Sequence, residues 1–273
     1  MTETTATRLF RLRTSYVKHG RLAYLGHLEL IHTIERIVRR AGLPFAVTQG
    51  FSPHMRVGFT SALPVGTSSD AEYYDLFMTD YVPAPVALDA LRASSPADLA
   101  PIASGYLDVR APALTAEITR ALYRIDLDLA AGLDVDADRL ERDVSRLFEQ
   151  GRIPYMRGKK EKELDLAGNL VSFAASQERP GRLALELDTR ISNEGGLRPE
   201  ILLAALDRLW APAGSDFEGP IVSRGIQDFE RVPRYSVCRT AQYAEDADGS
   251  LLSPLRTDEP TPAPKSVSSV PSL

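Results

Sequence analysis

Near the start of the chain the spacing of apolar residues changes period, and few folds accommodate that change. In residues 9–17, Phe10, Leu12 and Tyr16 alternate with Arg11, Arg13 and Ser15, the period of two of a strand. In the next segment Leu28, Ile31, Ile34, Val38 and Ala41 recur every three or four residues, which is one apolar stripe of a helix. Arg39 and Arg40 fall in its last turn, where cations complement the helix dipole. Gly42 suits the position after the last turn, and Leu43-Pro44 cannot continue the helix. A strand followed by a one-sided helix has to bury that helix face on a sheet.

Short extended runs at 45–48, 57–62 and 73–79 follow, separated by Gly50, Pro53, Pro64 and Gly66. A helix at 85–93 and a strand at 102–109 complete the order β-α-β-β(β)-α-β, with a third, short extended run between the helices. The second half repeats that order. Tyr123, Ile125, Leu127 and Leu129 alternate with charged residues; Asp136 is placed to cap a helix with stripe Leu140, Val144 and Leu147. Strands are expected at 170–174, 183–188 and 221–229, with a helix at 199–210. The predicted fold class is α+β: two tandem ferredoxin-like (split β-α-β) subdomains, residues 8–115 and 116–240. From 241 to 273 Asp, Ser and Pro dominate, which reads as a disordered tail because such a stretch has little apolar area to bury.

Cys238 is the one cysteine in 273 residues, so an intramolecular disulfide and any multi-cysteine zinc or iron–sulfur centre are excluded. No apolar run approaches the roughly 18 residues that span a bilayer. Residues 1–7 lack a basic segment followed by an apolar one, so no membrane contact and a cytoplasmic location are expected. The net charge of −5 conceals an asymmetry: residues 1–60 hold nine Lys or Arg and three Glu. A basic face on an acidic chain suits an anionic partner; a solvated face balanced by the acidic remainder accounts for the same count.

The four histidines, His19, His27, His32 and His54, all lie in the first 54 residues. His27 and His32 are five apart and would point about 140° from each other on a helix, so no metal site is expected, and no cofactor. Gln49-Gly50-Phe51-Ser52-Pro53-His54-Met55-Arg56 is a turn-rich loop that carries an aromatic ring, an imidazole and a guanidinium. Two readings stay open for it: a binding loop in which Phe51 stacks a ring and Arg56 holds a phosphate, or a hairpin whose Phe51 is tucked into the core. Leu63-Pro64-Val65-Gly66 is not followed by the Lys-Ser/Thr of a P-loop. Glu72 and Asp75, three apart in a strand, face opposite ways. Arg157-Gly158-Lys159-Lys160-Glu161-Lys162 reads as a basic hairpin tip, either a grip on phosphate or a solvated turn.

The run Tyr24-Leu25-Gly26-His27-Leu28-Glu29-Leu30, then Thr33-Ile34-Glu35-Arg36, Arg39-Arg40-Ala41-Gly42-Leu43-Pro44, Gln49-Gly50-Phe51-Ser52-Pro53-His54 and Leu63-Pro64-Val65-Gly66 resembles the radical-SAM-linked protein family (domain of unknown function 2344) in its stand-alone form. Glu29, His32 and Met55 stand where that family usually has Asp, Arg and Pro. The resemblance implies a non-catalytic accessory module that partners a separately encoded radical-SAM enzyme and helps bind RNA or another anionic substrate. The expected binding residues are His27, Glu29, Arg36, Arg40, Gln49, Phe51, Ser52, His54 and Arg56, with none catalytic. The alternative is a metal-independent RNA-processing or RNA-modifying enzyme that uses a histidine as acid or base.

Overall fold

A computed structural model describes residues 9–192, 195–212, 214, 215, 217, 219–225 and 227–255. The chain is a mixed α+β protein that divides into two compact units. Among the described residues, the first comprises 9–63, 69–118 and 242–255, and the second 64–68 and 119–241. No helix among the described residues is long and apolar enough to cross a membrane.

In the first unit, β1 (Phe10–Lys18) leads through a 3-10 turn (Gly20–Tyr24) to α1 (His27–Arg40), then β2 (Val57–Phe59), β3 (Ser68–Met78), α2 (Ala84–Ser94), β4 (Pro101–Leu107) and the short α3 (Leu114–Glu117). The strands lie in the order β4–β1–β3–β2, each neighbouring pair antiparallel. One sheet face carries Leu12, Tyr16, Tyr74, Leu76 and Met78, packed against Leu30, Ile34, Ile37 and Val38 of α1 and Ala87 and Leu91 of α2. Each Leu, Ile, Val or Met among them, removed from water, contributes about 1.5–3 kcal/mol.

The register of α1 differs from the sequence expectation. Leu28 is 71% exposed, whereas Leu30 and Ile37 are buried. The stripes 28/31/34/38/41 and 30/34/37/38/41 share three members, so the period fixes a helix without choosing its face; Leu28 lies about 120° around the helix from Ile34. Both ends follow the residues. Glu29 Oε2 accepts a hydrogen bond from the Gly26 N–H at 2.8 Å, the reach-back of a capping box, and Gly42 ends the helix at φ 68°, where a Cβ is disfavoured.

The second unit contains β5 (Arg120–Asp128), α4 (Ala137–Gln150), the hairpin β6 (Arg152–Arg157) and β7 (Lys160–Asp165), α5 (Leu166–Asn169), β8 (Leu170–Arg179), β9 (Arg182–Ser192), β10 (Gly195–Gly196), α6 (Pro199–Leu209), β11 (Ile221–Val222) and residues 234–241 of β12 (Arg234–Glu245), whose last four residues belong to the first unit. Antiparallel β8–β9–β5 continues to β12, and β11–β6–β7 form a separate small sheet. Asp136 caps α4, its Oδ1 accepting from Arg139 N–H at 2.8 Å, and Leu140, Val144 and Leu147 are buried.

The strand expected at 221–229 reduces to Ile221–Val222, and the long strand is β12. Two of its buried positions are Arg239 and Gln242, so an apolar alternation is missing where one would be sought. The disordered tail expected over 241–273 is corrected for 241–255. Residues 242–245 end β12, Leu251–Leu252 pair back on Ala244 and Glu245 as β13, and Leu255 is buried. The turn between them is an Asp-Gly hairpin, with Gly249 at φ 84° and Asp246 N–H donating to Ser250 O. Residues 256–273 lie outside the described residues.

Candidate functional site

The period of two in β1 places Arg11 and Arg13 on the sheet face away from α1, yet that face is covered. Arg11 is 3% and Arg13 0% exposed. They converge on Asp75 of β3: Arg11 Nη2 reaches Oδ2 at 2.6 Å and Arg13 Nε reaches Oδ1 at 2.7 Å. Arg13 Nη1 also meets Glu117 at 2.8 Å and donates to Pro254 O at 2.8 Å, while Arg11 donates to the carbonyls of Ala111 and Pro112. Burial alone would lower the Arg13 pKa; its bonds and charge contacts with Asp75 and Glu117 outweigh that and raise it. Lys18 is also buried, its Nζ donating to Ala23 O at 2.9 Å and Leu25 O at 3.2 Å. The basic face read from residues 1–60 therefore loses Arg11, Arg13 and Lys18, which hold the first unit together.

At the end of the α1 face of the sheet the apolar core gives way to a crevice. Tyr16 and Lys18 of β1 and Glu72 of β3 line it with Leu25, His27, Leu30, Phe59, Thr60, Ser61 and Leu63. Tyr16 lies opposite Glu72 in the ladder, and a register shift follows before Lys18 meets Ser69. Glu72 is 2% exposed and accepts a hydrogen bond from Thr60 Oγ1 at 3.0 Å. His27, outwardly exposed, turns one side to the crevice, where its ring meets Phe59 edge-on at 6.0 Å. Its free volume is about 10 Å³, room for about one water. Sequence reading gives no role to Lys18, Thr60 or Glu72, because no local pattern sets them apart from the other polar residues in and beside β1 and β3.

His27 has its pKa lowered, first by desolvation and then by the Lys18 charge, against the opposing pull of Glu72. The folded chain therefore favours the neutral ring. Its contribution to stability is complete above the ordinary value of 6.5 and is lost as pH falls through the depressed folded value. Thermal unfolding followed at pH 7 and pH 5 should show a loss on acidification that is smaller in His27→Gln; an identical loss in both proteins would remove His27 from this crevice's electrostatics.

The remaining expected binding residues fall into separate places. Glu29 caps α1. Arg36 and Arg40 are exposed on α1, Arg36 donating to Thr33 Oγ1 at 3.0 Å and Arg40 to Ser94 O at 3.3 Å, while Arg39 lies 3.5 Å from Glu35. Thr48 and His54 close a loop at its base: Thr48 N–H donates to His54 O at 2.8 Å, and His54 N–H to Thr48 Oγ1 at 3.1 Å. Within it Gln49, Phe51, Ser52 and the His54 side chain are exposed, and Phe51 is wholly so. Met55, not Phe51, is the loop residue tucked into the core. Arg56 stacks over the Phe77 ring at 4.2 Å. Phe77 lies opposite Arg11, so Arg56 is on the face away from α1, and Arg36, Arg40 and Arg56 do not form one patch. Among the described residues, no three His, Cys, Asp or Glu side chains are grouped to hold a metal ion.

The family model described as "Uncharacterized protein conserved in bacteria (DUF2344)" matches residues 11–199. The chain belongs to this family. The match contains the crevice, the 48–56 loop and the β6–β7 hairpin of this DUF2344 member. No curated protein matches it. Among solved structures, it is similar to an unknown protein from Galdieria sulphuraria at 9% identity and TM-score 0.24, covering 74% of this chain and 92% of that one. It is also similar to a putative glycine cleavage system transcriptional repressor at 12% identity and TM-score 0.24, covering 74% and 90%. At those scores neither likeness bears on function.

Proposed function

We propose that this chain is a non-catalytic accessory module of a separate radical-SAM enzyme, working in the cytoplasm and helping it bind RNA or another anionic substrate. In this reading the two units are ferredoxin-like modules in tandem, and the binding element of the first is the 48–56 loop. The observation that carries it is Phe51, fully exposed at the tip of a loop whose base is pinned by two hydrogen bonds. An aromatic ring held in water on a fixed scaffold is a stacking platform for an unpaired base. Arg56 at the loop exit and Arg36 and Arg40 on α1 remain exposed cations, suited to phosphate.

Fluorescence anisotropy with a single-stranded RNA tests it. Phe51→Ala should weaken binding roughly 5- to 150-fold, the worth of one stacked base, with thermal stability unchanged. Arg36→Gln with Arg40→Gln should flatten the slope of log affinity against log salt by about 1.4 for two lost phosphate contacts. A wild-type protein without salt-sensitive affinity between about 50 and 200 mM salt would refute the RNA part. Failure to co-purify with a radical-SAM enzyme, with or without RNase, would refute the accessory part.

One observation favours an RNA-processing enzyme instead: His27 lines a crevice with Lys18 and Glu72 and has its pKa lowered there by burial, the direction that suits a general base. Turnover of RNA by the isolated protein, abolished in His27→Gln, would select that reading.

A further inference from the structure

The β6–β7 hairpin separates its charges by face. Its register pairs Ile153 with Leu164, Tyr155 with Lys162, and Arg157 with Lys160, and these three pairs share one face because side chains alternate. The other face holds Arg152 with Asp165, Pro154 with Glu163, and Met156 with Glu161. Ile153, Tyr155 and Leu164 are buried at the base of the first face, so its exposed outer part carries only Arg157, Lys160 and Lys162. The acids lie on the second face, where Glu163 pairs with Arg152 at 2.9 Å and Asp165 caps Gly168. Lys159 extends the cationic tip in the two-residue turn, which Gly158 permits at φ 61°.

Among the described residues, no ion pair forms on Arg157, Lys159, Lys160 or Lys162, and Arg157 stands directly opposite Lys160. Like charges placed opposite each other destabilise a hairpin. Protection of the exposed β7 edge against pairing needs charge, but charge of either sign on either face serves that purpose. What the segregation adds is a row of cations along one side of a hairpin whose β6 strand is backed by β11, a shape matched to a chain of phosphates. We propose that this hairpin is a second contact for RNA, its first face gripping the phosphodiester backbone through Arg157, Lys159, Lys160 and Lys162. The assignment rests on the RNA reading of the function and gives the second unit a site of its own.

The full chain carrying Lys159→Gln, Lys160→Gln and Lys162→Gln should bind a single-stranded RNA with a salt slope flatter by about 2, at about 0.7 per lost phosphate contact. The buried Ile153, Tyr155 and Leu164 are untouched, so its thermal midpoint should equal that of the wild type. Glu161→Gln with Glu163→Gln, on the opposite face, should leave the slope unchanged. If the triple variant loses stability, Lys159→Gln with Lys162→Gln, expected to flatten the slope by about 1.4, takes its place. Wild-type protein without RNA affinity overturns the functional reading and this contact together. RNA binding whose slope is unaltered by the lysine replacements overturns the contact alone and leaves the 48–56 loop in place. A variant that keeps its RNA slope but loses affinity for polyglutamate assigns the arm to an acidic peptide and also overturns the proposal.

Discussion

Asp75→Ala should lower the unfolding free energy by about 3–5 kcal/mol, the cost of removing one partner from a buried ion cluster. Asp75 is the shared acceptor of Arg11 and Arg13, bonded by both of its oxygens. Its loss strands two guanidinium groups at 3% and 0% exposure. Glu117 and the carbonyls of Ala111, Pro112 and Pro254 remain as acceptors, so the effect falls well short of the full desolvation of two charges. Asp89→Ala is the matched control: that carboxylate is 80% exposed and 4.0 Å from Arg92, a pair worth at most about 1 kcal/mol. Urea unfolding of the three proteins measures both values. An Asp75→Ala chain within about 1 kcal/mol of wild type would show that water reaches the arginines.

A chain ending at Glu245 should be less stable than one ending at Leu255 by about 3 kcal/mol. The ten residues between them bring Pro254 O to Arg13 and cover that guanidinium. A hydrogen bond to a charged group contributes about 1.5–3 kcal/mol. They also bury Leu255 against the unit, where its Cδ1 lies near Gly105, worth about 1.5–3 kcal/mol more. The sum is reduced by the entropy of ordering the hairpin. Equal midpoints for the two chains would show that residues 246–255 add nothing to the stability of the unit.

The two predictions share a cause. The partners of Arg11 and Arg13 lie 62 to 241 residues away in sequence, and no local pattern announces them. A strand with one apolar and one charged face looks half-solvated when read alone, so the sequence by its local pattern assigns the arginines to an exposed basic face.

The features legible in the residues alone are local. The switch of period from two to about 3.6 placed β1 and α1. Asp136 marked the start of α4, and Gly42 and Pro44 marked the end of α1. Their side chains or backbone freedom act within a few residues, which is why such signals survive without a tertiary context. The exposed 48–54 loop was likewise legible as a turn-rich segment, although not the outward direction of Phe51. Tertiary packing alone decided the rest. It chose between two overlapping stripes of α1 by offering a sheet to Leu30 and Ile37, and it parted Arg56 from Arg36 and Arg40 by putting them on opposite faces of that sheet. It also turned residues 242–255 from a polar, proline-bearing stretch into a strand end and a cover. Each of these depends on which distant surface removes a side chain from water, and burial is a property of the assembled unit rather than of a window of sequence.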